Sequence, residues 1–458
     1  MANKTAIIAV AVVAVLVIAG AGAFLIMNNN SGGEDYKNIE SKLMIRGNAN
    51  GDYTIDKEDL DIINNVKDGK EGYTLEKYPL ADANNDGKVN DSDVNLTKDI
   101  IDRKQGITMY VVCLDVDGKD TTVSVKYPLR NIVTYATNMQ VPTLFANGGQ
   151  YIAGYFASSY EVAEDSINEK AVDLKGNQRQ IDDAAWANFT ALDAKLQSEG
   201  GVGALLVDHS GIAQITDSRK ADLDAGGIPM IDYSSADATD ELTTVLTLGF
   251  LFGGDSEKIG LKYAKLGWDV KEKIESTLKN KADKKTYICG TMYIYICGAN
   301  SSFNSSATTA GGIAYAEVNE EFNKTYTKNS TKMASTEALS NYTDAGIFIN
   351  NRSMDWGLDE DEIKEMIIDT WDHDNKGVSS REYFKDFENK LVYVNNLLPG
   401  GVKLAYMAHA MYGDLFTREW ADGVLKDYMG LDTAPFKDIK FNEVLAYITF
   451  DDYKRVAN

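Results

Sequence analysis

The chain has 458 residues, with 69 acidic and 46 basic side chains and a formal net charge of -23 at pH 7. This charge argues against a nucleic-acid partner, because a protein that neutralises phosphates needs a basic surface. The length predicts two to four domains, since single hydrophobic cores stop growing at about 250 residues.

The first predicted element is an apolar run over residues 6–27 that contains no charged side chain. At about 1.5 Å per residue a helix of this length crosses the hydrocarbon core of a bilayer. Lys4 precedes the run and an acidic stretch follows it, so the positive-inside rule places the rest of the chain outside the membrane. We predict a single-pass transmembrane anchor, followed by a linker over 28–40. The alternative is a cleaved signal peptide, with Ala21-Gly22-Ala23 as the cleavage site.

Two twelve-residue segments within residues 41–106 place oxygen side chains at the spacing of EF-hand-type calcium loops. Gly87 stands where the second loop must turn sharply. Each loop leads into an amphipathic segment that predicts a helix. The expected ligand positions are Asn48, Asn50, Asp52, Thr54, Asp56 and Asp59 in the first loop, and Asp82, Asn84, Asp86, Lys88, Asn90 and Asp93 in the second.

The repeated loop–helix unit, with Asp at position 12 of each loop, resembles the type I dockerin domain. The resemblance implies a small all-α domain, two bound Ca²⁺ ions and a cohesin domain as partner. The alternative for such loops is a solvated turn rich in Asn, Asp and Gly. The first loop should bind calcium more weakly, because Asn48 supplies no charge and Tyr53 occupies the turn position that favours glycine.

From residue 108 to the end, short β-rich runs alternate with helical segments. Such alternation predicts parallel sheets covered by helices, so the fold class is α/β. The predicted strands are 110–114, 122–126, 132–135, 204–207, 229–232, 293–296, 345–349 and 390–394, and the clearest helices are 184–198 and 362–370.

Residues 240–278 interrupt this alternation, because they predict almost continuous helix with one Gly-Gly-Asp break. The region therefore divides into lobe 1 (about 108–239), a long linking helix (240–278) and lobe 2 (279–458). This layout resembles that of the helical-backbone, or class III, substrate-binding proteins of ABC importers.

Four further segments are similar to motifs of that family. Residues 127–135 match its first strand, 141–155 its first helix and following turn, 226–231 a Gly-Ile-Pro strand, and 335–349 the approach to a strand of the second lobe. The resemblance implies two Rossmann-like lobes that capture an iron–siderophore complex, haem or a corrinoid. The cargo then passes to a membrane permease driven by an ATPase.

Ligand contacts are expected beyond the carboxyl ends of the strands, where parallel α/β lobes bind small molecules. Their amides, hydroxyls and rings suit a sizeable organic or chelated ligand. His209 either ligates a metal in the cargo or caps a helix. Arg352 either pairs with a ligand anion or is solvated. The rings of Trp356 and Trp371 either line the cleft or pack in the core. The candidates are Asn138, Met139, Tyr155, His209, Ser210, Tyr233, Asn300, Arg352, Trp356 and Trp371.

Docking to the permease is implied only by the family resemblance. In that family one surface carboxylate on each lobe enters an arginine pocket of the permease. Glu337 occupies the corresponding motif position in lobe 2, and Asp193 is the nearest counterpart in lobe 1.

The remaining signals predict structure rather than chemistry. His373 lies in a turn with Lys376 where a calcium loop needs an anion, and His409 lies in an apolar helix. A nucleophile elbow, a P-loop and a metalloprotease motif are all missing from the sequence, which favours a binding protein over an enzyme. Three scattered cysteines do not make a disulfide framework and are expected as buried thiols: Cys113, Cys289 and Cys297.

We therefore expect an extracytoplasmic binding protein, tethered to the membrane, that carries a calcium module next to the anchor. One alternative is a calcium-dependent cell-surface scaffolding or adhesion protein that acts through dockerin–cohesin binding. A second is an extracellular carbohydrate-active enzyme, which the absence of a recognisable carboxylate pair in the sequence disfavours.

Overall fold

The computed structural model describes residues 36, 38–135, 137–156, 166–175, 181–234, 237–291, 293–298, 301–326, 331–333, 339–375, 377–431 and 433–457. The predicted anchor over 6–27 lies outside these residues. Within them, none of the helices combines the length and the apolar character needed to cross a bilayer.

Residues 41–106 form a small helical module in which each helix starts at the end of a predicted calcium loop. Helix α1 spans Lys57–Lys67 and α2 spans Asp91–Ile101, with a short 3₁₀ helix at Pro79–Ala81 between them. Asp56 and Asn90 cap the two helices, and each cap is paired with an Asp three residues later. The helices pack together over a small apolar core of Ala49, Ile63, Ala81 and Val94.

Lobe 1 contains a five-stranded, all-parallel sheet preceded by an antiparallel hairpin. The hairpin strands are β1 (Thr108–Leu114) and β2 (Asp120–Lys126), and β1 packs against the edge strand β7. The sheet order is β5-β4-β3-β6-β7. Its strands and helices are β3 (Ile132–Tyr135), α3 (Thr137–Phe145), β4 (Ile152–Phe156), β5 (Val172–Asp173), α4 (Asp183–Leu196), β6 (Ala204–Asp208), α5 (Asp217–Gly226) and β7 (Met230–Tyr233).

The linking segment consists of two helices that pack against each other, so the prediction of one long rod is wrong. Helix α6 spans Ala238–Phe252 and α7 spans Asp255–Leu278. The chain reverses at Gly253 and Gly254, which have φ values of 71° and 61°, a region that favours glycine. The helices approach closely, since a Cβ on Gly249 would lie 3.1 Å from the Cα of Gly260.

Lobe 2 contains a mixed sheet of the order β11-β9-β8-β12-β13-β14, with β10 paired to the start of β8. Strands β8, β12 and β13 are parallel, and β14 runs antiparallel to β13. The elements in chain order are β8 (Thr286–Thr291), β9 (Tyr295–Cys297), α8 (Ser302–Thr309), β10 (Ile313–Ala314), α9 (Tyr315–Val318), α10 (Glu320–Thr325), β11 (Thr331–Met333), β12 (Ile347–Arg352), α11 (Glu360–Asp372), α12 (Ser380–Tyr383), β13 (Leu391–Asn395), α13 (Gly400–Met411), α14 (Arg418–Met429), β14 (Tyr447–Thr449) and α15 (Phe450–Ala457).

A buried ion pair joins the linking helices to lobe 2. The Lys403 ammonium on α13 lies 2.7 Å from a carboxylate oxygen of Glu241 on α6. The other carboxylate oxygen accepts hydrogen bonds from the backbone N–H of Gly400 and from the Tyr263 hydroxyl of α7. Three helices therefore meet at one carboxylate in the core.

The helical module is packed against lobe 1 along the backbone. The Arg46 N–H donates to the carbonyl of Tyr110 at 2.8 Å, and the Val112 N–H donates to the carbonyl of Met44 at 3.0 Å. Residues 44–46 therefore extend the β1–β2 hairpin as an irregular third strand.

Side chains fasten the same module to the linking helices. The indole N–H of Trp268 donates to the hydroxyl of Ser41 at 2.8 Å, and Arg103 forms an ion pair of 2.6 Å with Glu257. Ile39, at 7 % exposed, belongs to the main core, so the end of the sequence-defined linker is packed rather than free. The module and the lobes share one continuous hydrophobic core.

Candidate functional site

The strand order of lobe 1 reverses between β3 and β6, and such a switch point opens a crevice beyond the carboxyl ends of the strands. His209 lies there, directly after β6, with its side chain 36 % exposed. Its Nδ1 lies 2.7 Å from an oxygen of Asp232 on β7. The turn of the β1–β2 hairpin passes beside the imidazole, since a Cβ on Gly118 would lie 3.1 Å from Nε2.

Asp232 is fully buried, and within the described part of the chain one of its carboxylate oxygens has no hydrogen-bond partner. Burial raises the pKa of Asp232 to about 6, an effect that the hydrogen bond from His209 reduces and the negative charges of Asp208 and Asp115 increase. The Asp232 carboxyl can therefore change its protonation near pH 6.

In lobe 2 the corresponding switch point lies between β8 and β12, and it carries a cluster of rings and charges. Arg352 forms an ion pair of 2.6 Å with Asp369 and lies over the ring of Tyr293. The Tyr293 hydroxyl donates to Asp369 at 2.9 Å, and the imidazole of His373 stacks on the Tyr293 ring at 3.6 Å. The pKa of Asp369 is lowered, because the hydrogen bond from Tyr293 and the Arg352 charge outweigh partial burial.

A cavity of about 500 Å³ lies between the lobes. Its lobe 1 wall comes from the segment that joins β7 to α6, and its lobe 2 wall comes from α8. The backbone N–H of Ala238 donates to the hydroxyl of Ser306 at 3.0 Å, so the two helix starts are in direct contact. The lining residues are Ser234, Asp237, Asp240, Ser301, Ser302, Ser305, Thr308 and Thr309.

Two carboxylates set the charge of this interlobe cavity. Asp237 caps α6 through one oxygen, which accepts from the Thr239 N–H at 2.8 Å. Its second oxygen has no hydrogen-bond partner among the residues that the structure describes, and Asp237 is 6 % exposed. Asp240 is exposed, and partial desolvation together with the charge of Asp237 raises its pKa to about 6.

A second groove of about 450 Å³ adjoins the interlobe cavity and shares Ser234 and Asp240 with it. Its walls are the β1–β2 hairpin, the linking helices and the module segment around residue 42. The charged residues that line it are Glu40, Lys42, Asp120 and Asp240. The groove therefore extends the negative charge of the cavity toward the module.

The two predicted calcium loops have the same internal hydrogen bonds. In the first, Asp59 accepts from the N–H groups of Asn50 and Asp56, and in the second Asp93 accepts from those of Asn84 and Asn90. Burial raises the pKa of Asp59 to about 7. This repeated arrangement gathers the position-12 carboxylate and its partners at the centre of each loop.

The donor set of the first loop includes an oxygen that has no partner. Asn48 is fully buried, and its amide nitrogen donates to the carbonyls of Leu43 and Asp52. Its Oδ1 accepts no hydrogen bond from any residue that the structure describes. In the part of the chain that the structure describes, three or more His, Cys, Asp or Glu side chains never form a group suited to a metal ion. A cation in either loop would therefore need amide and carbonyl oxygens as well as carboxylates, as EF-hand loops use them.

Several predicted site residues cannot be placed. Asn300 and Glu337 lie outside the described residues, and the side chains of Asn138 and Ser210 are likewise not described. Asp193 lies on α4, and its carboxylate accepts hydrogen bonds from the Val202 N–H and the Gln197 amide.

Three of the predicted ligand contacts are core residues instead. Trp371 is fully buried and packs against Tyr393 and Phe450 in the core of lobe 2. Met139 is fully buried in the main core, and Trp356 is 5 % exposed. Trp371 lies in the last turn of α11, Met139 lies on α3, and Trp356 stacks with Phe145 and Phe436.

The other predicted contacts have polar or intermediate surroundings. Tyr155 on β4 is partly buried, and Tyr233 lines the second groove while its hydroxyl donates to the Val112 carbonyl. Arg352 is 8 % exposed and already paired with Asp369, so it does not supply an uncompensated positive charge to a ligand.

Sequence reasoning missed Asp237 and Asp240, which line the interlobe cavity, and Asp369 and His373, which complete the lobe 2 cluster. A capping signal was available for Asp237, because an Asp before a helical run is a typical N-cap. The three cysteines are confirmed as free and buried.

No protein-family model matches the chain, and none of the curated proteins is similar to it in sequence. Solved structures do share its fold. The TroA-like periplasmic binding protein FepB from Veillonella parvula has a TM-score of 0.54 at 15 % identity, over 74 % of this chain and 99 % of that chain. At this identity the similarity shows the fold and not the ligand.

Other similar structures have lower scores. Helicobacter pylori CeuE with Ni(II) bound has a TM-score of 0.46 at 12 % identity, over 72 % of this chain and 100 % of that chain. A periplasmic heme binding protein from Pseudomonas aeruginosa has a TM-score of 0.40 at 14 % identity, over 62 % of this chain and 92 % of that chain. Scores this low say nothing further about the fold or the ligand of this chain.

Proposed function

We propose that the chain is an extracytoplasmic solute-binding protein of an ABC importer, which captures an iron complex, haem or a corrinoid between its two lobes. The observation that carries the proposal is the interlobe cavity of about 500 Å³, in a fold similar to that of a TroA-like periplasmic binding protein. The ligand class comes from the sequence resemblance, and a cavity of this size suits a small organic or chelated molecule.

In this proposal the chain supplies binding and no catalysis. Hydroxyl and carboxylate groups from both lobes would contact the ligand. The buried Glu241–Lys403 pair and the packed linking helices would limit the movement of the lobes, because breaking a buried ion pair is costly. Delivery to a permease and its ATPase would follow, with Glu337 and Asp193 as the predicted contacts.

The binding proposal is tested by fluorescence titration with haem, cobalamin and a ferric trihydroxamate, since these coloured ligands quench tryptophan emission. We expect at least one Kd in the micromolar range or below. Ser305 is exposed on the cavity wall, so Ser305→Trp should fill the cavity and abolish binding. Ser276→Trp, on an exposed position of α7 outside the cavity, is the matched control and should bind normally.

A lack of response to all three ligands would reject the proposed cargo classes. Equal binding by wild type and the Ser305→Trp variant would instead show that the ligand binds elsewhere.

We also propose that the helical module binds two Ca²⁺ ions and acts as a dockerin-like unit. The unpartnered Oδ1 of Asn48 and the matching internal bonds of the two loops support this, because a cation would satisfy the buried oxygen. The first loop is linked to the lobes, since Leu43 and Asp52 hydrogen bond to each other close to the segment that pairs with β1. Calcium would therefore also stabilise the docking of the module.

Isothermal titration with calcium after treatment with a chelator tests this second proposal. We expect two ions per chain, and Asp93→Ala should remove the tighter of the two. Asp61→Ala is the control, because Asp61 is exposed on α1 and outside both loops. A stoichiometry of zero in the wild type would reject the calcium proposal, and a chelator-sensitive protein partner would favour the scaffolding alternative.

A further inference from the structure

We infer that the ligand of the interlobe cavity carries a net positive charge. This inference rests on the proposed binding function and narrows its substrate class. It distinguishes a cationic metal complex from the anionic ones, such as haem with its two propionates or a ferric tris-catecholate.

The first step is the charge of the cavity wall. Among the described residues, its lining consists of two carboxylates and six hydroxyl-bearing side chains and includes no Lys or Arg. Asp237 lines the cavity and is 6 % exposed, and one of its carboxylate oxygens is buried and has no hydrogen-bond partner among the described residues. An unpaired buried carboxylate oxygen is costly, so a positive charge in the cavity would stabilise this carboxylate. Asp240 adds a second, exposed carboxylate one helical turn away.

The second step concerns the partial charges of the two helices that start at the cavity. The N-terminus of a helix carries about half a positive charge, and this favours anions. At α6 the capping carboxylate of Asp237 already compensates that partial charge. The start of α8 is capped by the neutral Ser301. Two full negative charges therefore outweigh the remaining half charge, and the cavity stays negative.

The third step is the composition of the chain around the cleft. The described residues that directly follow β6, β12 and β13 are free of Lys and Arg for at least four positions. Lys175 follows β5, which lies at the edge of the sheet opposite β7. These described segments therefore add no basic side chain that would compensate Asp237 and Asp240.

Arg352 is the last residue of β12, and its charge is already paired. It is 8 % exposed, pairs with Asp369 at 2.6 Å and lies over the ring of Tyr293. A ligand anion would have to displace Asp369 to reach it. In the adjoining groove, Lys42 faces the carboxylates of Glu40, Asp120 and Asp240, so the balance there is also negative.

The hydroxyl groups indicate what else the ligand presents. Ser301, Ser305 and Thr308 follow one another on α8 at spacings of four and three residues, and therefore lie on one face of the helix. Hydroxyls can donate to the carbonyl or hydroxamate oxygens of a metal chelate while the carboxylates attract its positive group. A cationic hydroxamate-type complex combines both features.

A pair of probes that differ only in charge tests the inference. The ferric complex of desferrioxamine B is a trihydroxamate with a free ammonium group and a charge of +1, and N-acetylation of that amine gives an otherwise matched neutral complex. We expect the full chain to bind the cationic complex about tenfold more tightly than the neutral one, since carboxylates a few ångströms away act in a partly desolvated cavity. Raising the salt concentration to about 0.5 M should reduce this preference, because screening weakens exposed charges.

Asp240→Asn should lower the preference to about twofold or threefold, because it removes the carboxylate that reaches the cavity. Asp224→Asn, on exposed α5 and paired with Lys220, is the matched control and should leave the preference unchanged. Because Asp240 is exposed, both variants should fold, and circular dichroism checks that they do.

The outcomes distinguish a failure of the charge inference from a failure of the proposed binding function. Equal affinity for the two complexes, or tighter binding of the neutral one or of haem, overturns the inference and leaves the proposed binding function intact. Failure of both complexes, haem and cobalamin to bind rejects the proposed function and, with it, the inference.

Discussion

The buried Glu241–Lys403 ion pair gives the most direct prediction about how the lobes are held. Substituting Met for Lys403 preserves most of the side-chain volume and removes the charge. Glu241 is 3 % exposed and would lose the only positive charge that contacts it within the described residues, while it keeps hydrogen bonds from Gly400 and Tyr263. A carboxylate left unpaired in such a place should destabilise the chain.

The expected magnitude follows from the burial of both partners. Removing one member of a buried pair costs about 3–5 kcal/mol, whereas replacing both members is often nearly neutral. Lys403→Met alone should therefore lower the free energy of unfolding by about 3 kcal/mol or more. The double variant Glu241→Gln with Lys403→Met should recover to within about 1 kcal/mol of the wild type, because Gln still accepts from the Gly400 N–H and carries no charge.

Urea unfolding at constant calcium, followed by tryptophan fluorescence and circular dichroism, measures these free energies. Lys220→Met is the control, since its pair with Asp224 is exposed and should be worth about 0.5 kcal/mol or less. The reasoning would be refuted if Lys403→Met behaved like this control. A double variant as unstable as Lys403→Met would show that packing, rather than an unpaired charge, causes the loss.

Three further predictions address pH, calcium and packing. The pKa of Asp232 is raised from 3.8 to about 6, so between these pH values the folded chain holds a proton that the unfolded chain releases. The wild type should therefore lose about 3 kcal/mol of stability as the pH rises through this range. In urea unfolding, Asp232→Asn should gain stability relative to the wild type from about pH 4 to pH 7, and a difference that stays constant with pH would contradict this. Asn48→Asp adds a negative charge to the first calcium loop, so calorimetry should show about tenfold tighter calcium binding. It also removes the two hydrogen bonds that the Asn48 amide donates, so the variant should melt at a lower temperature in the presence of a chelator. An unchanged calcium affinity would contradict a calcium site in this loop. In Gly401→Ala the new Cβ would lie 2.8 Å from the Cα of Gly267, so thermal melting should show a free energy of unfolding lower by about 1–3 kcal/mol. A Cβ at Gly423 meets open space, so the control Gly423→Ala should be neutral or stabilising. Equal effects of the two substitutions would argue against close packing of the helices at Gly401.

Much of the fold was predictable from local sequence. The strand at Ile132–Tyr135 has the predicted ends, and the strands that start at Ala204 and near Lys390 agree to within a residue. They were predictable because buried parallel strands are short, continuous β-branched and apolar runs. Residues 286–291, the central strand of lobe 2, were not predicted, because Gly290 interrupts an otherwise β-prone run.

The linking segment shows where periodicity alone fails. An apolar helical pattern continues through 240–278, and it predicts helix correctly on both sides of the break. The pattern does not contain the direction of the chain, which two glycines with positive φ reverse at 253–254. The same limit applies to the docking of the module, because the contacts of Ser41 and Arg103 join residues more than 150 positions apart.

For the candidate site, the sequence predicted strand ends but not the surroundings of the side chains there. The rule that ligands bind beyond strand ends suggested His209 and the segment around Tyr233, because both follow parallel strands, and their contact with a ligand stays a prediction. The same rule suggested Met139, and Trp371 was a separate candidate; both side chains are fully buried. Whether a residue near a strand end faces the cleft or the core depends on tertiary packing, and the sequence pattern does not contain it.

The central claim is that a ligand binds between the two lobes, and hydrogen–deuterium exchange with ferric desferrioxamine B tests it most directly. Backbone amides at the start of α6, in lobe 1, and at the start of α8, in lobe 2, should both exchange more slowly when the complex is bound. Protection confined to one lobe, or found only in the calcium module, would contradict the claim.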